Sequence, residues 1–595
     1  LNIMSIARKI LMGAAGAGGD KTYVDEVFST EVYKGTGTMS GSTDSGAKTI
    51  TNSIDYSEGA LTWLKQRSHN DNHQLFDTVR GDNKRLVCNE NTEENTAAGD
   101  RWGLKFNSNG YTIGNAADGI NVDGRTYAGW TFRKQKGFFD IVSYTGTGSA
   151  HSIAHNLGCV PGCIIIKNLG AGYNWQVYHN RMDSTNPANY SMQLDQNNAR
   201  GSSTSIWNDT LPTSTHFTVG TNGDVNTNGS NFIAYLFAGG ASTAATARSV
   251  SFATGSSSYL DIADHSDFTF GTDDFTIECW YKADDLSLTN NWDYIFSSGW
   301  PVQLGHTVDG ANTNSRFSFY MADSNSTSSY IVSNLHTGNG SVNAGQWYHV
   351  AVTRSGSTFR IFLNGELKNT ETSSGSAPAP NTNSAIGRFG PSASYYADGK
   401  ISNFRYVKGT AVYTESFRPP TEPLTDITNT KLLCCNSSSV TGSTVTPGTI
   451  TNNGATASTD SPFDDPSGFS FGDAGDQGII KCGRYEGNGN DDGPEIFLGW
   501  EPSYVLIKNI DSAYDWVVFD SMRGIATGGS DPYLRPNGNN SETDADRLDL
   551  TPTGFKISAN STVTNADGDT YIFLCIRRSD GYVGKPPELG TGVFA

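Results

Sequence analysis

Tyr144-Thr145-Gly146-Thr147-Gly148 decides how this chain is read, because the same Tyr-x-Gly-x-Gly signature stands at Tyr33-Lys34-Gly35-Thr36-Gly37 and at Tyr485-Glu486-Gly487-Asn488-Gly489. Behind the second and third signatures comes an apolar run ending in Lys-Asn, Ile164-Ile165-Ile166-Lys167-Asn168 and Val505-Leu506-Ile507-Lys508-Asn509. Each run leads into an aromatic strand, Tyr173 to Tyr178 and Tyr514 to Phe519. The first copy is looser, with Leu61-Thr62-Trp63-Leu64-Lys65 and Leu75-Phe76-Asp77. All three close on Asn-x-Asp/Asn-Gly before an aromatic strand: Asn121 to Gly124 then Tyr127, Asn226 to Gly229 then Phe232, Asn565 to Gly568 then Tyr571. A pattern of about a hundred residues repeated at this regularity predicts one fold used three times.

Between the second and third copies lies a longer module of different content, so 595 residues divide into three repeats and one insert. With 67 glycines, 17% charged residues and short apolar runs broken by turn residues, the expected class is all-β, built of several β-sandwiches. The expected organisation is an N-terminal anchor and linker (1–27), repeat one (28–136), repeat two (137–241), the insert (248–437), a linker (438–466), repeat three (467–580) and a tail (581–595). Ser5 could cap a short helix carrying Ile6, Ile10 and Leu11 on one face beside Arg8 and Lys9. That helix, tethered by a Gly/Ala linker, is the expected anchor.

A net charge of −19 without a run of Lys or Arg argues against nucleic acid as a partner, because phosphate binding needs a positive surface. No apolar stretch approaches bilayer length, so no membrane insertion is expected. Among the eight cysteines, Cys159 and Cys163 follow His151 and His155 at intervals of four, which imitates a zinc set. Pro161 and Gly162 forbid a continuous helix there, and the third copy places Trp500 and Tyr504 where the second has Cys159 and Cys163. Packing explains that exchange and metal ligation does not. The loop Asn565-Ala566-Asp567-Gly568-Asp569 imitates a calcium site, but its counterpart Asn226-Thr227-Asn228-Gly229-Ser230 reads as a tight turn with positive φ at the glycine. No metal and no cofactor is expected. Arg80-Gly81-Asp82 is likewise read as a turn.

The insert opens with Ser249-Val250-Ser251-Phe252 and Tyr259-Leu260-Asp261-Ile262, then Asp274 to Lys282. It continues with Gly345-Gln346-Trp347-Tyr348-His349-Val350 and Phe359-Arg360-Ile361-Phe362-Leu363-Asn364-Gly365. This content resembles the laminin-G-like or concanavalin-like jelly roll. Its end, Asp398-Gly399-Lys400-Ile401-Ser402-Asn403-Phe404-Arg405-Tyr406 through Phe417-Arg418-Pro419-Pro420-Thr421, resembles the version found in virion proteins of tailed, especially marine, bacteriophages. The repeat motifs resemble the same group. The resemblance implies a virion structural protein, in a tail fibre or another appendage, whose partners are other virion proteins and a host-surface glycan or receptor. A capsid decoration protein and a tail depolymerase are the alternatives. Fibres of this kind are often homo-oligomers and trimers, although no heptad run enforces one here. A catalytic role is not expected, since the Glu-x-Asp-x-x-Glu strand of glucanase jelly rolls is absent. Sugar recognition uses aromatic faces with a few polar groups, which makes Trp292, Trp300, Tyr395, Tyr396 and Asp398 the candidate ligand-binding residues.

Overall fold

The computed structural model describes residues 22–37, 46–96, 103–114, 119–183, 185–240, 248–286, 292–308, 315–326, 329–391, 395–420, 423–463, 471, 478–525 and 528–579. Almost every element in them is a strand, and no helix among the described residues is long and apolar enough to cross a membrane. The anchor residues Ile6, Arg8, Lys9, Ile10 and Leu11 and the tail 581–595 lie outside the described residues.

Each repeat pairs a large antiparallel sheet with a small one. In repeat one the large sheet runs Phe28–Lys34, Thr126–Arg133, Ala60–Gln66, Gln74–Asp77, Lys84–Val87 and Asn95–Thr96. Repeat two follows the same path with Phe139–Thr145, Asn231–Ala238, Pro161–Asn168 and Gln176–His179 before two outer strands. Repeat three does so with Ile480–Glu486, Thr570–Arg577, Pro502–Asn509 and Val517–Asp520.

The two sequence signatures meet in space. The opening tyrosine stacks on the closing aromatic ring in every copy: Tyr33 on Tyr127 at 4.9 Å, Tyr144 on Phe232 at 5.0 Å, Tyr485 on Tyr571 at 5.0 Å. The Asn of the closing motif is fully buried and clamps the glycine-rich strand end. Asn226 Oδ1 accepts from the Thr147 amide at 2.7 Å while its Nδ2 donates to Ser149 O at 2.7 Å. Asn121 takes the Thr36 amide at 2.9 Å and Asn565 the Asn488 amide at 2.8 Å in the same way. The expectation that the whole motif is a tight turn is therefore corrected in the last two copies. Their Asn ends a one-turn helix, Gly223–Asn226 or Thr562–Asn565, and serves as a lock, and only the following glycine, Gly229 or Gly568, makes the positive-φ turn.

The lock also explains the first glycine of the signature. A Cβ on Gly35, Gly146 or Gly487 would lie 2.1–2.2 Å from the carbonyl oxygen of Val122, Thr227 or Ala566. Gly146→Ala is expected to cost about 3 kcal/mol in urea unfolding, since backbone must move to relieve the clash. Gly170→Ala, whose added carbon meets nothing closer than 3.9 Å, is the control expected to change stability by less than about 0.5 kcal/mol.

Strands of the large sheets are apolar on both faces because both faces are covered. In repeat three, Val505 and Ile507 point to that repeat's own core, while Tyr504 and Leu506 point into a core shared by all three repeats. Leu64 and Trp63 divide in the same way in repeat one. Tyr23, Val24, Val27 and Phe28 also enter the shared core, so residues 23–27 are part of the packed body and not of a linker.

Equivalent residues make equivalent contacts around this core. The buried Lys65, Lys167 and Lys508 each donate to a carbonyl of a neighbouring repeat: Asn539 O at 3.5 Å, Asn91 O at 2.9 Å and Asn197 O at 3.3 Å. Backbone bonds close the same three interfaces, Glu542 to Arg67 O at 2.8 Å, Glu94 to Leu169 O at 3.0 Å and Arg200 to Ile510 O at 2.9 Å. The repeats thus form a ring of threefold pseudosymmetry within one chain.

Asp77, His179 and Asp520 occupy one equivalent position and each reaches a neighbouring repeat. Asp77 accepts from the Tyr235 hydroxyl at 2.7 Å, Asp520 from Trp130 Nε1 at 3.0 Å, and His179 Nε2 lies 3.0 Å from Phe573 O. Burial lowers the His179 pKa to about 3, so the ring is neutral and donates. Arg80, the first residue of the Arg-Gly-Asp tripeptide, is buried against Asp77 and Leu75 O, which removes it from the surface.

The insert forms two further sheets. The larger one centres on Tyr348–Ser355, Phe275–Ala283 and Gly399–Lys408; the other orders Tyr330–His336, Arg316–Ala322, Val302–Thr307, Trp292–Ser298, Ser384–Ile386, Tyr259–Ile262 and Ile450–Asn453. Their inner faces enclose one apolar core. The strands Ser443–Val445, Ile450–Asn453 and Thr456–Ser458 pair into these sheets, which corrects the expected linker 438–466. Those strands escape the sequence pattern because they are rich in Thr, Asn and Ser and lie at sheet margins, where only one face needs apolar residues.

Candidate functional site

Val302, Leu304, Phe317, Phe319 and Met321 fill the insert's core, so the alternate residues Gln303, Gly305, Ser318 and Tyr320 face away from it. That outer face carries a continuous row of rings. Tyr330 meets Tyr320 at 5.4 Å, Tyr320 meets Trp292 at 5.3 Å, and Trp292 stacks on Tyr294 at 4.9 Å. Tyr294 then meets Phe389 at 4.8 Å, and Phe389 meets Trp300 at 4.7 Å edge-on and Tyr395 at 6.3 Å.

Gly305 makes room for this arrangement, since a Cβ there would lie 3.1 Å from the Trp292 ring. The indole therefore sits against the neighbouring strand at Gly305. Gln303 ties the row together, accepting from the Tyr294 hydroxyl at 3.1 Å and donating to Trp300 O at 2.8 Å. Burial pushes the Tyr294 phenol up, and the nearby Tyr330, Tyr395 and Tyr320 add to the shift, so it stays a neutral donor at physiological pH.

Of the residues singled out from sequence, Trp292, Trp300 and Tyr395 are joined by this row, through Tyr294 and Phe389. Tyr396 stands to one side, 6.2 Å from Tyr259, whose other partner is the Arg388 guanidinium at 3.6 Å. Asp398 is tied through its main chain instead, its amide to Asp293 Oδ2 at 3.3 Å and its carbonyl to the Tyr281 hydroxyl at 3.3 Å. Tyr294, Tyr320, Tyr330 and Phe389 were not singled out. Alternation of Tyr320 with the core residues Phe319 and Met321 was the signal available for one of them.

The former zinc candidates occupy unrelated settings. His151 lies on a surface strand, the His155 ring contacts Thr213 O at 3.1 Å, and Cys163 is packed in the shared core. All eight cysteines are free thiols, with Cys434 and Cys435 sulfurs 3.9 Å apart.

A second polar constellation lies on the opposite sheet of the insert, largely buried. Glu278 Oε1 accepts from Arg405 Nε and Nη2 at 2.9 and 2.6 Å, while its Oε2 meets His349 Nε2 at 3.2 Å and the Tyr413 hydroxyl at 2.9 Å. Burial pushes the Glu278 carboxyl up, but His349 and Arg405 outweigh it and hold the group below its usual range. Glu278, His349 and Arg405 are buried, and through the half-buried Tyr413 this cluster ties the loop bearing Tyr413 and Phe417 to the sheet.

Residues 25–246 and 408–579 match the model of a domain of unknown function, DUF7483. The chain belongs to that family. The two matched stretches of DUF7483 flank the insert, whose residues 254–412 match the concanavalin A-like lectin/glucanases superfamily. No curated protein matches the sequence. Solved structures with a similar fold include a putative carbohydrate binding protein from Bacteroides ovatus (13% identity, 73% of this chain and 92% of that one, TM-score 0.27). Domains LG4-5 of the mouse laminin alpha1 chain are similar at 10% identity over 68% of this chain and 96% of that one, TM-score 0.21. Tailspike protein 2 of Escherichia coli O157:H7 bacteriophage CAB120 is similar at 9% identity over 27% of this chain and 26% of that one, TM-score 0.20. The insert is a laminin-G/concanavalin-like jelly roll set into a nearly all-β chain.

Proposed function

We propose that this DUF7483 protein is a non-catalytic, glycan-binding component of a phage particle, with its three repeats as a rigid base and its jelly roll as the binding module. The observation that carries the binding reading is the ring row from Tyr330 to Trp300, with Trp292 laid over Gly305 and Gln303 beneath. The partly exposed faces of Trp292, Trp300, Tyr320 and Tyr330, backed by the buried Tyr294 and Phe389 and bordered by amide and hydroxyl groups, suit the alternating apolar and polar sides of a sugar ring. The lectin superfamily match of residues 254–412 supports the same class of ligand.

The phage assignment, with a tail fibre or similar appendage as the place, is supported by the resemblance of residues 398–421 and of the repeat motifs to tailed-phage virion proteins. The absence of a Glu-x-Asp-x-x-Glu strand supports binding over hydrolysis. Trp292→Ala combined with Tyr320→Ala is expected to weaken binding to host envelope polysaccharide at least tenfold, about 1.4 kcal/mol, with folding unchanged by circular dichroism. Full retention of binding by the double variant would sink the assignment of this face. Release of oligosaccharides from the same polysaccharide by the intact chain would sink the non-catalytic reading.

A further inference from the structure

Where the jelly roll meets repeats two and three, a cleft of about 360 Å³ opens between them. That volume falls toward the lower end of the roughly 300–1,000 Å³ typical of small-molecule sites. In a chain of net charge −19 the lining is unexpectedly basic, with five Lys or Arg side chains against three Asp.

Two of the cations are already neutralised. Lys282 is held by Asp460 at 2.7 Å and Lys400 by Asp284 at 2.6 Å. Arg181 of repeat two and Arg484 of repeat three are different: among the described residues neither guanidinium has a hydrogen-bond or ion-pair partner. Arg484 lies across Gly345, where an added Cβ would be 3.4 Å from its Nε. Burial depresses its pKa, and the charges of Arg181 and Arg200 depress it further, against the weaker opposing pull of Asp183 and Glu486.

A third group in the wall also lacks a partner. Gln346 is 5% exposed, its Oε1 accepts from the Tyr348 hydroxyl at 3.2 Å, and its buried Nε2 has no acceptor. An unpaired buried donor of this kind costs free energy unless an acceptor arrives. Beside it the Trp347 ring is fixed, because its Nε1 donates to Asp460 Oδ1 at 3.1 Å while the Lys282 ammonium lies 6.0 Å from the ring centre. Phe497 completes an apolar wall, packed at 4.4 Å on Trp280.

We propose that this cleft binds a carboxylated sugar, a hexuronate unit of an acidic oligosaccharide. The carboxylate pairs with Arg181 and Arg484, whose planar forks suit it. The sugar face lies against Trp347, and a ring oxygen or hydroxyl accepts from Gln346 Nε2. Residues from three modules must come together to build the site, so it exists only in the assembled chain. It is distinct from the ring row around Trp292 and does not depend on it.

The test is calorimetric titration of the full-length chain with trigalacturonate, alongside neutral galactotriose, inorganic phosphate and a tri-glutamate peptide. Trigalacturonate is expected to bind, with the neutral sugar, phosphate and peptide each at least tenfold weaker. Arg181→Gln with Arg484→Gln should weaken trigalacturonate binding at least tenfold without lowering Tm, because neither side chain is paired in the fold. The Trp292→Ala and Tyr320→Ala variant should bind it unchanged, which separates this site from the platform. Failure to bind trigalacturonate, equal binding of phosphate or peptide, or indifference to the arginine changes would each overturn the proposal.

Discussion

Trp130→Ala is expected to cost about 4 kcal/mol, because it removes a fully buried indole from a core that three repeats share. The indole has no exposed surface and packs edge-on against Trp63 at 5.8 Å and Tyr504 at 6.0 Å. It lies 5.5 Å from the Arg523 guanidinium and donates to Asp520, so a residue of repeat one holds an ion pair of repeat three in place. Deletion leaves a cavity between modules that cannot close without breaking the lysine and backbone bonds around the ring. Trp130→Phe keeps most of the packing and loses one buried hydrogen bond, for which about 1–2 kcal/mol is expected. Urea unfolding measures both values, and hydrogen exchange locates them. Protection should fall in all three repeats together while the jelly-roll strand Phe275–Ala283 keeps its own. A loss below about 1 kcal/mol, or a loss of protection confined to repeat one, would show that the repeats are independent units.

How much of this was legible in the sequence depends on whether the physical cause is local. The Tyr-x-Gly-x-Gly and Asn-x-x-Gly motifs are the two sides of one contact inside each copy, a glycine against a carbonyl and an Asn clamping the strand end, so each copy announces itself. The partnership between copies is not local. Ile164-Ile165-Ile166 declares a strand covered on both sides but does not say that the second cover is another repeat. Lys167 reads as an ordinary strand end, although its ammonium is buried against Asn91 of the previous module.

The same limit governs the sites. Trp292 and Trp300 could be picked as large aromatics among loop residues, whereas Phe389 joins them only through the fold. Asp460 lies in a stretch dominated by Thr, Ser, Asn and Gly, which reads as linker, yet it organises Lys282 and Trp347 across nearly two hundred residues of chain. Glu278 and Trp280 alternate in the sequence with the core residues Ile277, Cys279 and Tyr281. An indole at that position was the available hint that the face is covered.

The three equivalent lysines make a prediction about pH that a single buried lysine would not. Burial is the main cause that lowers each pKa from 10.5 to about 8, opposed chiefly by Asp71 at Lys65, by Asp195 at Lys167 and by Asp515 at Lys508. Between pH 8 and 10.5 the unfolded chain holds three protons that the folded chain has released, so these groups make stability rise with pH. Below pH 8 both states are protonated and the penalty is fully present; above 10.5 both are neutral and the slope vanishes. Each lysine contributes about 1.4 kcal/mol per pH unit in that window, roughly 3 kcal/mol in all. Substituting all three with methionine keeps the apolar stem and deletes the titration. Urea unfolding at pH 8, 9 and 10 should then show the wild-type stability gaining on the triple variant by roughly 4 kcal/mol per unit, with other titrating groups common to both. Parallel profiles would mean that the ammonium groups are as well solvated by the ring of carbonyls as by water, and that the threefold contacts impose no electrostatic cost on assembly of the repeats.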